Sequence, residues 1–104
     1  MQEKIKVIIE LLTKKTKSRL IDWTKQSECV YSVDFEGAKI LLYYQVSPSK
    51  DKKITTLLIY NDKREVIASI DEDENKDIRE LYKLAKYNYY HYNETLDTII
   101  KQLT

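Results

Sequence analysis

Between Glu3 and Lys17 the residues Ile5, Ile8, Ile9 and Leu12 recur at helical spacing on one face, and Val7 and Leu11 widen the stripe. The segment reads as a first helix. Lys14, Lys15, Lys17 and Arg19 crowd its end, where cations complement the negative pole of the helix dipole. Leu20, Ile21 and Trp23 are expected to fold down and seal one edge of the core. Between positions 29 and 70 the period drops to two, the mark of strands. A first strand would place Cys29, Tyr31, Val33 and Phe35 on one face and Ser32 and Asp34 on the other. Glu36-Gly37 then supplies a tight turn, with glycine where a positive φ is needed. Further strands are predicted at 38–46, 54–60 and 65–70, divided by the polar loop 47–53, which holds Pro48, and by a turn at 61–64. Four consecutive strands with short links predict an antiparallel meander. The acidic residues of 71–74 suit the start of a long helix over about 75–103. Its buried stripe would be Ile78, Leu81, Ala85, Tyr89, Tyr92, Leu96, Ile99 and Leu103. The pattern therefore predicts a single α+β domain over residues 1–104: N-terminal helix, four-stranded antiparallel meander and long C-terminal helix, with the helices packed on one sheet face.

This arrangement leaves apolar surface over. Ile40, Leu42, Tyr44, Ile54, Leu58, Val66, Ala68 and Ile70 are assigned to one sheet face, and Leu41, Tyr43, Leu57 and Ile59 to the other. Four strands span about 19 Å and two helices side by side about 20 Å, so both helices fit on one face and the other is left open. Placing one helix on each face would remove the surplus, but connections crossing a sheet edge are less usual in a small meander. A second surplus lies in the tract 86–92. There the wheel sends Tyr89 and Tyr92 to the core and leaves Tyr87 and Tyr90 on the far face with Lys83, His91 and Glu94. Exposed tyrosines offer large contact area with few rotamers to freeze. Leu41, Tyr43, Leu57, Ile59, Tyr87, Tyr90 and His91 are accordingly the candidate partner-binding residues, and a homodimer is the expected way to cover the open face.

Composition narrows the classes. With 104 residues and 42% hydrophobic positions, the chain can build one core but not two. Eighteen Lys and Arg against seventeen Asp and Glu give a net charge of +1, so no global field draws it to nucleic acid or anionic lipid. A charge-based function would need a local patch. The longest apolar run, residues 40–44, falls far short of the roughly 20 residues of a bilayer span. The opening residues 1–12 look faintly like a signal peptide, but Glu10 interrupts their apolar stretch and no small-residue cleavage site follows. A cytoplasmic protein without membrane contact is expected.

The catalytic inventory is thin, with one His, one Cys and one Gly. Cys29 has no intramolecular disulfide partner, and the adjacent Glu28 would raise rather than lower its pKa. Asp71, Asp73, Asn75 and Asp77 imitate the opening of a calcium loop, yet Lys76 stands where that loop needs glycine and Tyr82 where it needs the bidentate Glu. His91 is the one plausible general base, and the wheel places it in solvent, where little would hold it or tune its pKa. No enzyme activity, cofactor or metal is expected.

The segment 13–23, with Lys15-Thr16, Ser18 and Ile21-Asp22-Trp23, resembles the start of small bacterial and mobile-element proteins that run helix, Trp, strand meander, helix. Their later part is similar too, at Ile59-Tyr60-Asn61-Asp62, residues 67–70, Leu81-Tyr82 with Ala85, and Glu94-Thr95-Leu96-Asp97 with Ile100 and Leu103. The resemblance implies the fold but no activity. This chain departs from the pattern at Arg64, where a turn glycine is usual, and in its tyrosine-rich helix. Lys far outnumbers Arg, and Ile and Tyr abound, the residues AT-rich codons encode, so an origin in an AT-rich bacterium or one of its phages or mobile elements is expected. Together these readings favour a non-enzymatic protein-interaction module, an adaptor or inhibitor. The alternative is a small-ligand protein that sequesters a nucleotide signal, in which tyrosines stack on a base and Lys14, Lys17 or Lys86 meets phosphate. That alternative requires basic and aromatic residues to converge on one pocket.

Overall fold

The computed structural model describes residues 2–104. Among them the chain forms α1 (Glu3–Lys17), β1 (Thr24–Ser27), β2 (Val30–Phe35), β3 (Ala38–Ser47), β4 (Lys52–Tyr60), β5 (Val66–Asp71), α2 (Asp77–Tyr90) and α3 (Tyr92–Leu103). The strands make one antiparallel sheet in chain order. The α+β class and the meander agree with the sequence pattern, whereas the count of four strands does not. The extra strand, β1, consists of the polar residues Thr24 to Ser27 and carries no apolar alternation. It exists because β2 pairs with it, Thr24 opposite Ser32 and Lys25 opposite Tyr31. Cys29 consequently sits in the turn between β1 and β2, at φ 63°, and not in a strand.

Directly opposed residues share a face of an antiparallel pair, so the register fixes both faces. Val33, Ile40, Ile59 and Ala68 form one row, and Tyr31, Leu42, Leu57 and Ile70 the next. Both rows join Ile9 and Leu12 of α1 and Ile78, Leu81 and Ala85 of α2 in a single core cluster with Trp23. Leu57 and Ile59 are 0% and 8% exposed, which corrects their assignment to an open face. The residues sharing a face with Leu41 and Tyr43 are Leu58 and Thr56. Alternation alone cannot register one strand against the next across a loop, and the predicted parity of β4 was shifted by one residue relative to β3.

Trp23 is 3% exposed and closes the core between α1 and α2. Its indole Nε1 donates to Thr16 Oγ1 at 2.9 Å, and its backbone N–H donates to Asn88 Oδ1, also at 2.9 Å. Asn88 Nδ2 donates in turn to the Ile21 carbonyl at 3.0 Å. One side-chain amide thus holds the segment after α1 to α2. Asn88 takes the buried position expected for Tyr89, giving α2 the stripe Ile78, Leu81, Ala85 and Asn88.

The long C-terminal helix of the sequence pattern is two helices. His91 adopts the left-handed conformation, φ 53° and ψ 45°, ending α2 and starting α3 in a new direction. α1 ends similarly: Arg19 has φ 57°, Leu20 N–H donates to the Lys15 carbonyl at 2.9 Å and Arg19 N–H to the Thr16 carbonyl at 3.2 Å, the paired bonds of a Schellman cap. Glycine is usual there, but an arginine side chain can reach further. Arg19 Nη2 meets His91 Nδ1 at 3.0 Å, and Arg19 Nε meets Glu94 at 3.2 Å. The end of α1 therefore sets the corner from which α3 departs.

Truncating Trp23 to Ala is expected to lower unfolding free energy by about 3–5 kcal/mol, as buried aromatic truncations do. Asn88→Ala should cost about 1–3 kcal/mol for each buried backbone group it leaves unpaired. Urea denaturation of both variants checks this; a loss below about 1 kcal/mol for either would place that residue outside the folded core.

Candidate interaction surfaces

The sheet face turned away from the core carries Leu41, Tyr43, Leu58 and Tyr60, all half-buried. Neighbours already cover much of it, since Val30, Ile54 and Thr56 on the same side are buried, and Ile67 is its most open large residue at 64% exposed. This face offers less apolar surface than the sequence pattern suggests. Strand residues lean on their cross-strand neighbours, and that mutual cover is invisible in alternation.

The other predicted site residues do not converge. Tyr87 stacks on Tyr92, ring centroids 4.6 Å apart, while Tyr90 turns to β1, where Lys25 Nζ donates to its hydroxyl at 2.6 Å. His91 is held by Arg19 at the helix corner. Tyr89 and Tyr92, expected in the core, are exposed, Tyr89 because Asn88 takes the buried position of α2 and Tyr92 because the helix breaks at His91.

Around Tyr90 the chain builds a phenol network. The hydrogen bond from the Lys25 ammonium favours phenolate and holds Tyr90 below the ordinary tyrosine range. Lys25, which also lies 3.3 Å from Glu28, is raised, chiefly by its bond with Tyr90. Burial pushes Tyr31 up to about 12, with nearby Tyr90 adding to the effect. Burial also raises Tyr82, with Cys29 as a hydrogen-bonding neighbour. Tyr90 and Lys25 meet at the surface, where Tyr90 is 48% exposed.

The acidic segment 71–74 is neutralised from within the chain. Lys50 Nζ lies 3.1 Å from Asp71 and 2.6 Å from Asp73, and Lys52 lies 3.7 Å from Asp73. Among the described residues no group of three or more His, Cys, Asp and Glu gathers as a metal-binding set, and no helix is long and apolar enough to cross a membrane.

Two surfaces were not legible as assembled sites in the sequence, although Lys86 and Tyr87 of the second were singled out there. α3 has no buried residue: Leu96, Ile99, Ile100 and Leu103 are 42%, 49%, 58% and 81% exposed. The second is a cleft of about 280 Å³ between α2 and the sheet. Arg79, Tyr82, Lys83, Lys86 and Tyr87 form one helical stripe over its floor, which is Tyr44 and Thr55. The other lysines proposed for phosphate, Lys14 and Lys17, instead border a cleft whose α2 wall carries Asp77 and Glu80.

No family model, no curated protein and no solved structure matches this chain.

The shifts around Tyr90 predict an ordered titration. A phenol whose charged form is favoured loses its proton at lower pH, so Tyr90 should titrate before Tyr31 and Tyr82. In ultraviolet titration of tyrosinate, Tyr90→Phe is expected to delete the earliest step and Lys25→Met to move it to higher pH. Persistence of that step in Tyr90→Phe would assign it to another tyrosine.

Proposed function

We propose that the protein is a non-enzymatic interaction module that works as a homodimer joined through α3. One observation carries this reading: an amphipathic helix whose apolar side lies outside the core. At 100° per residue, Tyr92, Leu96, Ile99, Ile100 and Leu103 occupy one arc, and Glu94, Asp97 and Lys101 the opposite side. Twelve residues make a helix only marginally stable by itself in water, so the stripe requires a cover.

A second α3 supplies it. In an antiparallel pair Leu96 lies opposite the partner's Leu103 and Ile99 opposite the partner's Ile100, with every α3 charge left in water. The same patch serves both copies, as a two-fold interface requires. The seam is about 18 Å long, which places the association in the weak, micromolar class. Residues 92, 96, 99 and 103 step by four, three and four, the spacing of a knobs-into-holes seam. The half-buried sheet face of Leu41, Tyr43 and Leu58 is secondary in this reading, because neighbouring strands already cover much of it.

The wild-type chain should sediment at twice the chain mass at micromolar concentration, and Leu96→Glu with Ile99→Glu should sediment as a monomer with an unchanged melting temperature. Those two residues contribute nothing to the core, so the variant remains folded. A wild-type monomer throughout this range, or a variant that still dimerises, would remove α3 from the interface; in the second case Leu41→Lys with Leu58→Lys tests the sheet face.

A further inference from the structure

We infer that the cleft between α2 and the sheet is a binding site for a nucleoside phosphate carrying a single base, a role separate from the α3 interface. Three observations support it: segregated charge, converging aromatic rings and an unsatisfied polar group.

The charge is local. Arg79, Lys83 and Lys86 project from successive turns of α2 along one side, and Lys53 adds a fourth cation 5.9 Å from the Tyr44 ring centroid. Against them stands Glu72, whose Oε1 already accepts the Thr55 backbone N–H at 2.8 Å and whose Oε2 is 3.9 Å from Arg79. Among the described residues Lys83 and Lys86 have no carboxylate partner. In a chain of net charge +1 this is a strong concentration of one sign. Two unpaired ammonium groups one helical turn apart, with a guanidinium a turn further, match a phosphate or diphosphate group.

The rings supply the other half. Tyr44 and Tyr82 lie 5.9 Å apart at 38°, and Tyr87 closes the C-terminal end of the cleft, its ring also stacked on Tyr92. Tyrosine faces bordered by cations hold a nucleobase by stacking, worth about 1–3 kcal/mol per base. The volume of about 280 Å³ lies just below the usual range of about 300–1,000 Å³ for small-ligand sites, so the cleft would take the base and leave the phosphates to the cationic rim.

The floor contributes the third observation. Thr55 is fully buried, and its Oγ1 is the one buried side-chain polar atom among the described residues with no hydrogen-bond partner. Buried hydroxyls are satisfied in the large majority of cases. An unused donor and acceptor beneath a cationic, aromatic cleft is the polar contact a ligand edge would complete.

The test is calorimetric titration of the full-length protein with ADP, GDP, CDP and UDP, alongside adenosine, inorganic phosphate and a thymidine oligonucleotide. At least one nucleoside diphosphate should bind at micromolar concentration, and adenosine and phosphate at least about tenfold more weakly, because each offers half of the contacts. Lys83→Gln with Lys86→Gln should weaken binding about tenfold or more at an unchanged melting temperature, since both residues are exposed. Tyr87→Leu should weaken the nucleotide without altering the response to phosphate. No binding by any of the four diphosphates would overturn the assignment, as would equal affinity for phosphate alone. Tighter binding of the oligonucleotide would replace it with a single-strand surface. Tyr87 stacks on Tyr92 of α3, so the lysine variant separates the cleft from the α3 interface, and Leu96→Glu with Ile99→Glu, which changes no residue lining the cleft, should bind as the wild type does.

Discussion

The fold depends on a single buried amide. Asn88 accepts the Trp23 N–H and donates to the Ile21 carbonyl, satisfying two backbone groups in a segment that has left α1 and not yet entered the sheet. Without that partner the Trp23 N–H would be buried and unpaired and the part-buried Ile21 carbonyl would lose its donor, an expensive arrangement in a low-dielectric interior. With it, the link between α1 and β1 is held against α2, Trp23 fills the space between the helices, and its indole reaches Thr16. β1 is then delivered in register beside β2 despite having no apolar pattern of its own. Asn88 also occupies the last core-facing position of α2, so the helix has finished its packing role two residues before its end.

The corner beyond Asn88 is shaped by the scarcity of glycine. The chain has one glycine, yet Arg19, Cys29, Asp51, Arg64 and His91 also have positive φ. Each such residue carries a conformational cost that glycine would avoid, of order 1–2 kcal/mol. Two of them recover something by touching: the left-handed Arg19 at the end of α1 hydrogen-bonds the left-handed His91 between α2 and α3. Glycine at either place would relieve the backbone and lose the contact. The direction of α3 is thus set by side chains at two strained corners, and the Tyr87–Tyr92 stack and the Arg19–Glu94 ion pair brace it from two sides.

Period and turn chemistry made α1 and strands β2 to β5 readable, because each has an apolar alternation or stripe bounded by recognisable breakers. β1 was unreadable, since its strand conformation is imposed by a neighbour. The parity of β4 failed for a related reason: a loop conceals how many residues separate one face from the next, and a one-residue error exchanged Leu58 for Leu57. The break at His91 did leave a trace. A helix over 75–103 would be about 43 Å long, longer than the roughly 34 Å of a ten-residue strand, so its far end could not have lain on the sheet whatever its stripe. That excess length, more than any residue pattern, was the available sign that Leu96, Ile99 and Leu103 would lie outside the core.

Near-neutral net charge was a weak guide, because neutrality of a total says nothing about distribution. Lys50 and Lys52 are consumed by Asp71 and Asp73 at one end of the sheet, and Arg19 by Asp22 and Glu94 at the helix corner. Together those three cations meet four carboxylates. Three further cations share the free side of α2, where residues 79, 83 and 86 recur at helical spacing beside 82 and 87. The same helix therefore divides its labour by face. Ile78, Leu81, Ala85 and Asn88 hold the core, and the next stripe round the cylinder presents cations and rings to a cleft. Helical periodicity that identifies a core face also identifies its neighbour, and in this chain the neighbour is where charge and aromatic surface coincide.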